Sequence, residues 1–211
     1  MMDSLYRKYE NILLFCGSKY RNFNFDNPPE APNSSKHPLT KEDFVSAITK
    51  DEYVLHTGHD EAMEDIYLFI FSPDSKYLKQ TAFMNKLISK LDISAKATVF
   101  LFTKVELSIY IRKMLKQYTK IKTKNYLFKH FIIEINKGPL CNEHIKLTDE
   151  QTDILCKSLR IDKMDLPKIY INDPQIIWIG AEVGQVVLIK SKSLIAGIRY
   201  HYRVVFPKKN W

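Results

Sequence analysis

The sequence predicts an α/β domain with a central sheet and crossover helices, followed by a smaller α+β module. The apolar runs 66–71 and 97–102 have the length of strands buried on both faces, and helical periodicity fills the stretch between them. A strand, a helix and a strand at this spacing form a crossover unit between parallel strands. After 136–138 the elements become shorter. We therefore predict two domains, 1–135 and 136–211.

The first domain is predicted to open with an amphipathic helix. Apolar residues recur at helical spacing from Asp3 to Cys16, and Gly17 provides a stop. Three prolines among Asn, Asp and Ser in 22–37 predict an exposed loop. Thr40 then has the position of an N-cap for a short second helix.

The part of the chain that follows 97–102 is predicted to repeat the crossover. Thr103 and Glu106 have the spacing of a capping box, which predicts that a helix begins there. A third strand is expected at 131–135, and the lysines of 120–124 are expected in a flexible loop before it. The predicted buried stripe of the helix is Leu107, Tyr110, Ile111, Met114, Leu115 and Tyr118.

The second domain contains clear start signals for its elements. Thr148 and Gln151 have capping-box spacing and predict a helix, and Asp173-Pro174 is a typical helix start. Strands are predicted at 185–190 and 198–206 from their β-branched and apolar residues. These elements make up a compact α+β module.

Composition limits the class of protein. The chain has 211 residues, of which 45% are hydrophobic, so it can bury a sizeable core. No stretch approaches the roughly 20 apolar residues of a membrane span, and the charged start is unlike a signal peptide. Six glycines cannot supply a Walker A loop or a dinucleotide fingerprint, and the three cysteines form no Cys-x-x-Cys pair. We expect an intracellular protein with no catalytic residue, cofactor, membrane partner or small-molecule substrate.

Positive charge is concentrated in one stretch. The formal net charge is +8, and between Lys104 and His130 eight Lys and Arg residues face a single acidic residue, Glu106. Such a cluster binds nucleic-acid phosphates without reading bases, and a merely solvated basic face is the alternative. The candidates for a DNA-proximal surface are Lys104, Arg112, Lys113, Lys116, Lys120, Lys122 and Lys124.

Three other functions have partial support in the residues. His56 and His59 precede several carboxylates, but they lack the His-Glu-x-x-His pattern and are predicted to lie in an exposed acidic turn, so no metal site is assigned. Asp74 has the position of a magnesium ligand in a nuclease, but the next strand, 97–102, has no charged residue to complete such a site. A free-standing, sequence-independent DNA-binding protein also fits the basic stretch.

The C-terminal domain carries a series of short motifs in a characteristic order. They are Leu166-Pro167-Lys168-Ile169, Asp173-Pro174, Gly184-Gln185-Val186-Val187, Ser193, Ala196-Gly197 and Tyr202-Arg203-Val204-Val205. In order and spacing they resemble the C-terminal signature of the fifth subunit of eukaryotic DNA-directed RNA polymerases, the counterpart of the archaeal H subunit. Leu5-Tyr6-Arg7 and the two buried strands resemble the N-terminal part of the eukaryotic form more loosely.

This resemblance implies a non-catalytic polymerase subunit with two tasks. The N-terminal domain would be a jaw domain near downstream duplex DNA, and the C-terminal domain would be an assembly domain on the largest polymerase subunit, among the other polymerase subunits. The candidate assembly residues are Leu166, Pro167, Asp173, Pro174, Gly184, Ser193, Leu194, Ile195, Gly197, Tyr202 and Arg203.

The sequence also departs from the family pattern. Lys104 stands where the family has a proline at the start of the jaw helix, and Ser191, Leu194 and Ile195 replace more polar or charged residues. These departures, with heavy use of Lys, Ile, Tyr and Asn, suggest a copy encoded by a large DNA virus, asfarvirus-like. The expected location is the nucleus for a cellular protein, and the host cytoplasm and virion for a viral one.

Overall fold

The computed structural model describes residues 2–17, 24–25, 39–51, 53–60, 64–75, 89, 91, 96–135, 141–193 and 197–207. Its contacts group the chain into two compact units, 1–133 and 134–211. The boundary expected from the sequence, between 135 and 136, lies two residues further along. No helix in the described part of the chain is long and apolar enough to cross a membrane.

The N-terminal unit contains a five-stranded sheet in the order β1-β2-β3-β4-β5. Its first three strands are antiparallel, whereas β3, β4 and β5 run parallel, as expected for crossover connections. The predicted runs 66–71 and 97–102 are confirmed as neighbouring parallel strands. The strands are β1 (Asn24–Phe25), β2 (Tyr53–His59), β3 (Asp65–Phe71), β4 (Ala97–Thr103) and β5 (Ile121–Leu127).

In the described part of this unit, three α-helices and a 3-10 turn accompany the sheet. They are α1 (Met2–Cys16), α2 (Lys41–Asp51), α3 (Ile109–Leu115) and the 3-10 turn Phe128–Phe131. The opening helix is confirmed, and Oγ1 of Thr40 accepts a 3.2 Å hydrogen bond from the backbone N–H of Asp43, which confirms the predicted cap of α2.

The two faces of the sheet are covered by different elements. On one face, Ile111 and Leu115 of α3 pack with Val99 and Leu101 of β4. On the other face, Phe15 of α1 makes edge-on contacts with Phe102, Tyr126 and Phe131. The residues of β4 are buried on both sides, which explains its continuous apolar sequence.

The third strand of the parallel set is not where the sequence indicated. The prediction at 131–135 is wrong: the strand is β5, and the segment predicted as a flexible basic loop forms its first half. Ile121 is 8% exposed and joins the core, while the alternating lysines lie at the edge of the sheet, where their long side chains reach water. Phe131 is fully buried, but as part of the 3-10 turn.

The predicted helix after β4 begins later than expected. Thr103 is the last residue of β4, and its Oγ1 donates a 2.7 Å hydrogen bond to the Val105 carbonyl instead of capping a helix. The helix starts after Ser108, whose Oγ accepts a 3.3 Å hydrogen bond from the N–H of Ile111. Tyr110, predicted in the buried stripe, is 59% exposed, whereas Ile111 and Leu115 are the buried residues of this helix.

Two further predictions concern the segments around β2. His56 and His59 lie in strand β2, not in an exposed turn, because Gly58 is accommodated within the antiparallel ladder to β3. The loop predicted at 22–37 is described only at Asn24–Phe25, where it forms β1. The helix predicted between β3 and β4 lies largely outside the described residues.

The C-terminal unit contains a four-stranded sheet in the order β6-β8-β9-β7. The two long strands, the capped helix after Thr148 and the Asp173-Pro174 helix start are confirmed. The two short outer strands were not predicted. The elements are β6 (Glu143–Lys146), α4 (Asp149–Leu159), the 3-10 turn Lys163–Asp165, β7 (Lys168–Tyr170), α5 (Pro174–Ile179), β8 (Val186–Ser193) and β9 (Gly197–Phe206).

Candidate functional site

The basic stretch of the N-terminal unit is divided between the two faces of the sheet. Arg112, Lys113 and Lys116 are exposed on α3 and its C-cap, on the face that α3 covers. Lys122 and Lys124 project to the opposite face, because they alternate with Ile121 and pair in register with Thr98 and Phe100. The sequence therefore overestimates the size of a single basic surface.

Lys104 is separated from the other cations along the strand direction. It follows the carboxyl end of β4, whereas Lys120 and Lys122 lie at the opposite, amino end of β5. A seven-residue strand spans about 20 Å, which sets the distance between these groups. Nζ of Lys104 lies 3.7 Å from a carboxylate oxygen of Asp74 in an exposed ion pair. The cations that remain together are those of α3 and the turn that follows it.

Asp74 and the histidines of β2 have structural partners. The exposed Asp74 carboxylate faces Lys104, and Nδ1 of His59 lies 3.1 Å from the carboxylate of Asp65 across the β2–β3 ladder. His56 is 3% exposed and its Nε2 lies 3.2 Å from the hydroxyl of Tyr9. Within the described ranges, no group of three His, Cys, Asp or Glu residues has the geometry of a metal site.

Several candidate assembly residues are part of the framework of the C-terminal unit. Leu166 is 5% exposed and packs against Val186 and Val204, and the half-buried Tyr202 packs on the same cluster. A direct contact through the Leu166 side chain would require this core to open. The sequence motif at Leu166 is therefore explained by packing.

Other residues of the motif series fix the backbone. Oδ1 of Asp173 accepts a 2.8 Å hydrogen bond from the N–H of Gln175, with Pro174 at the first helical position. Gly184 has a φ of +87° in the turn before β8, and Gly197 has a φ of +69° at the start of β9. Such φ values are strained for residues with a Cβ, which explains both glycines.

Arg203 differs from these framework residues because it is exposed. Its Nη1 donates a 3.3 Å hydrogen bond to the backbone carbonyl of Lys168 on β7. The ammonium of Lys168 lies on the other face of the sheet, 4.4 Å from the centroid of the Phe206 ring. Leu194 and Ile195, the predicted apolar contacts of the β8–β9 turn, lie outside the described residues, as does the Ser193 side chain.

A cleft of about 710 Å³ in the C-terminal unit was not predicted. Asp173, Arg203, Lys168, Ile169 and Ser191, all named in the sequence analysis, line it together with Ile189, His201 and other residues of the unit. His144, Ile189 and His201 form one row across three strands of the sheet. This row depends on the unpredicted strand β6 and on strand register, so no local sequence signal could have revealed it.

Comparison with known proteins gives consistent relatives for this C-terminal unit. Residues 133–205 match the family model described as RNA polymerase Rpb5, C-terminal domain. DNA-directed RNA polymerase subunit Rpo5 of Pyrococcus abyssi is 36% identical over 84 residues, covering 40% of this chain and 93% of that protein. The chain belongs to the Rpb5 family of RNA polymerase subunits. The subunit Rpo5 of Archaeoglobus fulgidus is 44% identical over 66 residues, 31% of this chain and 87% of that protein.

Membership of the Rpb5 family confirms the resemblance that the motif series indicated. The chain is a non-catalytic subunit of a DNA-directed RNA polymerase. The match begins at residue 133, close to the start of the second compact unit at residue 134. The N-terminal unit lies outside the matched residues.

Proposed function

We propose that the C-terminal unit anchors this polymerase subunit on the largest subunit of the enzyme. The observation that carries the proposal is the agreement between the family match, 133–205, and one compact unit with its own core. A segment that folds around its own core can present a fixed surface to a partner. The other polymerase subunits are the wider partners.

The N-terminal unit, by the same proposal, is a jaw domain beside downstream duplex DNA. The exposed cations Arg112, Lys113 and Lys116 lie within one turn of each other around the end of α3, and Lys120 follows in the next turn. Cations so arranged attract the phosphate backbone without base contacts. We assign the DNA-proximal role to this cluster, and place Lys122 and Lys124 on the side facing away.

The location of the protein follows that of the polymerase. A cellular enzyme would hold the subunit in the nucleus, and a virus-encoded one would hold it in the host cytoplasm and virion. The expected partners are polymerase chains and duplex DNA.

Affinity purification of the tagged full chain tests the assembly role. We expect the largest polymerase subunits to co-purify in equal stoichiometry, identified by mass spectrometry. Recovery of the protein alone, together with salt-sensitive DNA binding by the isolated chain, would instead support a free-standing DNA-binding protein. Cleavage of DNA that is lost in Asp74→Asn would support the nuclease alternative.

Crosslinking to DNA tests the jaw assignment in the assembled enzyme. Polymerase carrying R112Q and K116Q is compared with polymerase carrying K122Q and K124Q, so that each variant loses two cations. With a photoreactive base in the downstream duplex, crosslinks to this subunit should fall several-fold only in the first variant. Equal crosslinking in both variants would contradict the assignment to the α3 cluster.

A further inference from the structure

One face of the C-terminal sheet carries basic side chains on both sides of an aliphatic centre. In register across β6, β8 and β9, His144 pairs with Ile189, which pairs with His201. The neighbouring row has Val187 at its centre, between Lys146 and Arg203. Because directly paired residues project to the same side, both rows lie on one face. Ser191 and Arg199 add a third, two-stranded row.

Two acidic residues near this face, Glu143 and Asp173, already have partners within the C-terminal unit. Glu143 alternates with His144, so it projects to the opposite face, where its carboxylate lies 3.4 Å from Nζ of Lys190. The Asp173 carboxylate, at the margin of the cleft, caps α5 through the N–H of Gln175. None of the three described rows contains an acidic side chain. The face therefore has an excess of cationic groups.

The cleft over this face has the form of a groove with an apolar floor. Ile189 is 7% exposed at its centre, and Ile169 of β7 also lines it. Arg203 lies at the side of the groove. Its hydrogen bond to the Lys168 carbonyl positions the guanidinium before any partner binds. The half-buried His144 is likewise oriented, with Nδ1 2.9 Å from the Asn142 carbonyl oxygen.

The spacing of the hydrogen-bond donors along β9 selects the form of the ligand. Arg199, His201 and Arg203 occupy alternate positions of β9 and are separated by about 7 Å, as are alternate side chains of any extended peptide. A peptide with carboxylates at alternate positions would place them beside these groups, and guanidinium–carboxylate pairs are strong, directional contacts. A polyphosphate chain is less suited, because it has no apolar group for the Ile189 floor.

We propose that this face binds an extended, acidic segment of a partner polymerase subunit, with an aliphatic side chain over Ile189 and carboxylates along Arg199, His201 and Arg203. This rests on the proposed assembly function and specifies the chemistry of the contact. The family motif series contains only Arg203 of these groups, so the face extends the predicted assembly surface to β6 and to the exposed half of β9.

A photoreactive residue at Ser191 identifies the occupant of the face. The full chain with benzoyl-phenylalanine in place of Ser191 is assembled into polymerase, irradiated and digested for mass spectrometry. We expect a crosslink to one polymerase segment in which acidic and aliphatic residues alternate. A crosslink to nucleic acid, to a segment without acidic residues, or to no polymerase chain would overturn the proposal.

Charge reversal separates this inference from the assembly function itself. The pair R199E and R203E is compared with K157E and K192E, which make the same charge change on α4 and on the opposite face of the β8–β9 ribbon. Polymerase recovery should fall at least tenfold for the first pair and stay near wild type for the second.

Normal recovery with R199E and R203E would overturn this face as the contact while leaving the assembly function intact. Failure of the wild-type chain to recover polymerase would overturn the function itself, and equal loss in both pairs would overturn the assignment to this face.

Folding of the variants is checked independently. All four substituted side chains are exposed, so their replacement should leave the core unchanged. Trp178 is 1% exposed in the C-terminal unit, and its fluorescence reports whether that unit is folded. A variant with native fluorescence and lost polymerase binding assigns the defect to the surface.

Discussion

The hydroxyl oxygen of Tyr9 lies 3.2 Å from Nε2 of His56, and this contact joins α1 to β2 inside the N-terminal unit. The same oxygen accepts a 3.0 Å hydrogen bond from the backbone N–H of Leu39, ahead of α2. Its own proton is therefore available for donation to the imidazole. The Tyr9 ring also stacks on Phe44 with centroids 4.5 Å apart. A single buried phenol thus holds α1, α2 and β2 together.

Tyr9→Phe should destabilise the N-terminal unit by about 1–3 kcal/mol, because it removes the hydroxyl acceptor of the buried Leu39 N–H while keeping the ring stacking. Hydrogen exchange of the β2 amides measures the loss, since both tryptophans lie in the C-terminal unit. Tyr110→Phe is the control, because Tyr110 is 59% exposed. Equal exchange in the two variants would contradict a structural role for the Tyr9 hydroxyl.

Ionisation of Tyr9 should destabilise the N-terminal unit at high pH. Burial raises the pKa of Tyr9 from 10.0 to about 12. Because the pKa of Tyr9 is higher in the folded protein, folding favours the protonated hydroxyl. The stabilisation that this protonated hydroxyl provides is fully present below pH 10 and is lost as the pH rises from 10 to 12. The stability difference between the wild type and Tyr9→Phe should therefore shrink over this interval, at about 1.4 kcal/mol per pH unit. A difference independent of pH up to 12 would rule out this titration.

Patterns in the sequence alone predicted the two continuously buried strands and the capped helix starts. The runs 66–71 and 97–102 are buried on both faces, and their only polar side-chain atoms are the hydroxyls of Tyr67 and Thr98. The caps at Thr148 and Asp173 are interactions within four residues, so the sequence alone carries them. These are the predictions that the structure confirms.

The sequence patterns did not predict the edge strands or the strand register. In β5 the lysines at 122 and 124 gave the appearance of a loop, although Ile121 packs inward and the lysines reach water from the sheet edge. The row of His144, Ile189 and His201 joins the β8–β9 hairpin to β6, a strand that lies much earlier in the sequence. Only the ladder register brings these residues together, and register is a tertiary property.

Asn125 connects β5 to the end of β4, and its replacement by Asp should destabilise the parallel edge. Nδ2 donates hydrogen bonds of 3.0 Å to the Leu101 carbonyl and 2.9 Å to Oγ1 of Thr103. A carboxylate cannot donate to that carbonyl, so we expect a loss of about 2–3 kcal/mol. Hydrogen exchange of the β4 and β5 amides measures it, with the exposed Asn142→Asp as control. Unchanged protection of β5 would contradict the role of the amide.

Gly184→Ala should destabilise the C-terminal unit by about 1–2 kcal/mol, because φ is +87° at this position. Among the described residues, no atom beyond the chain neighbours of Gly184 lies within 4 Å of the place that the new methyl group would take. The cost is therefore one of backbone conformation and not of a clash. Urea unfolding followed by Trp178 fluorescence measures it.

The control is Val183→Ala in the same turn. Val183 is exposed, so this substitution should change stability by less than about 0.5 kcal/mol. Equal effects at both positions would exclude backbone strain.

The capping box of α4 should contribute cooperatively to the C-terminal unit. Oγ1 of Thr148 accepts from the N–H of Gln151 at 3.2 Å, and Oε1 of Gln151 accepts from the N–H of Thr148 at 3.0 Å. Thr148→Ala should cost about 1 kcal/mol, while Thr148→Ser keeps the acceptor and should cost less. In a double-mutant cycle with Gln151→Ala, measured by Trp178 fluorescence in urea, the combined loss should be smaller than the sum of the single losses, because each bond positions the other. Strict additivity would mean that the two hydrogen bonds act independently.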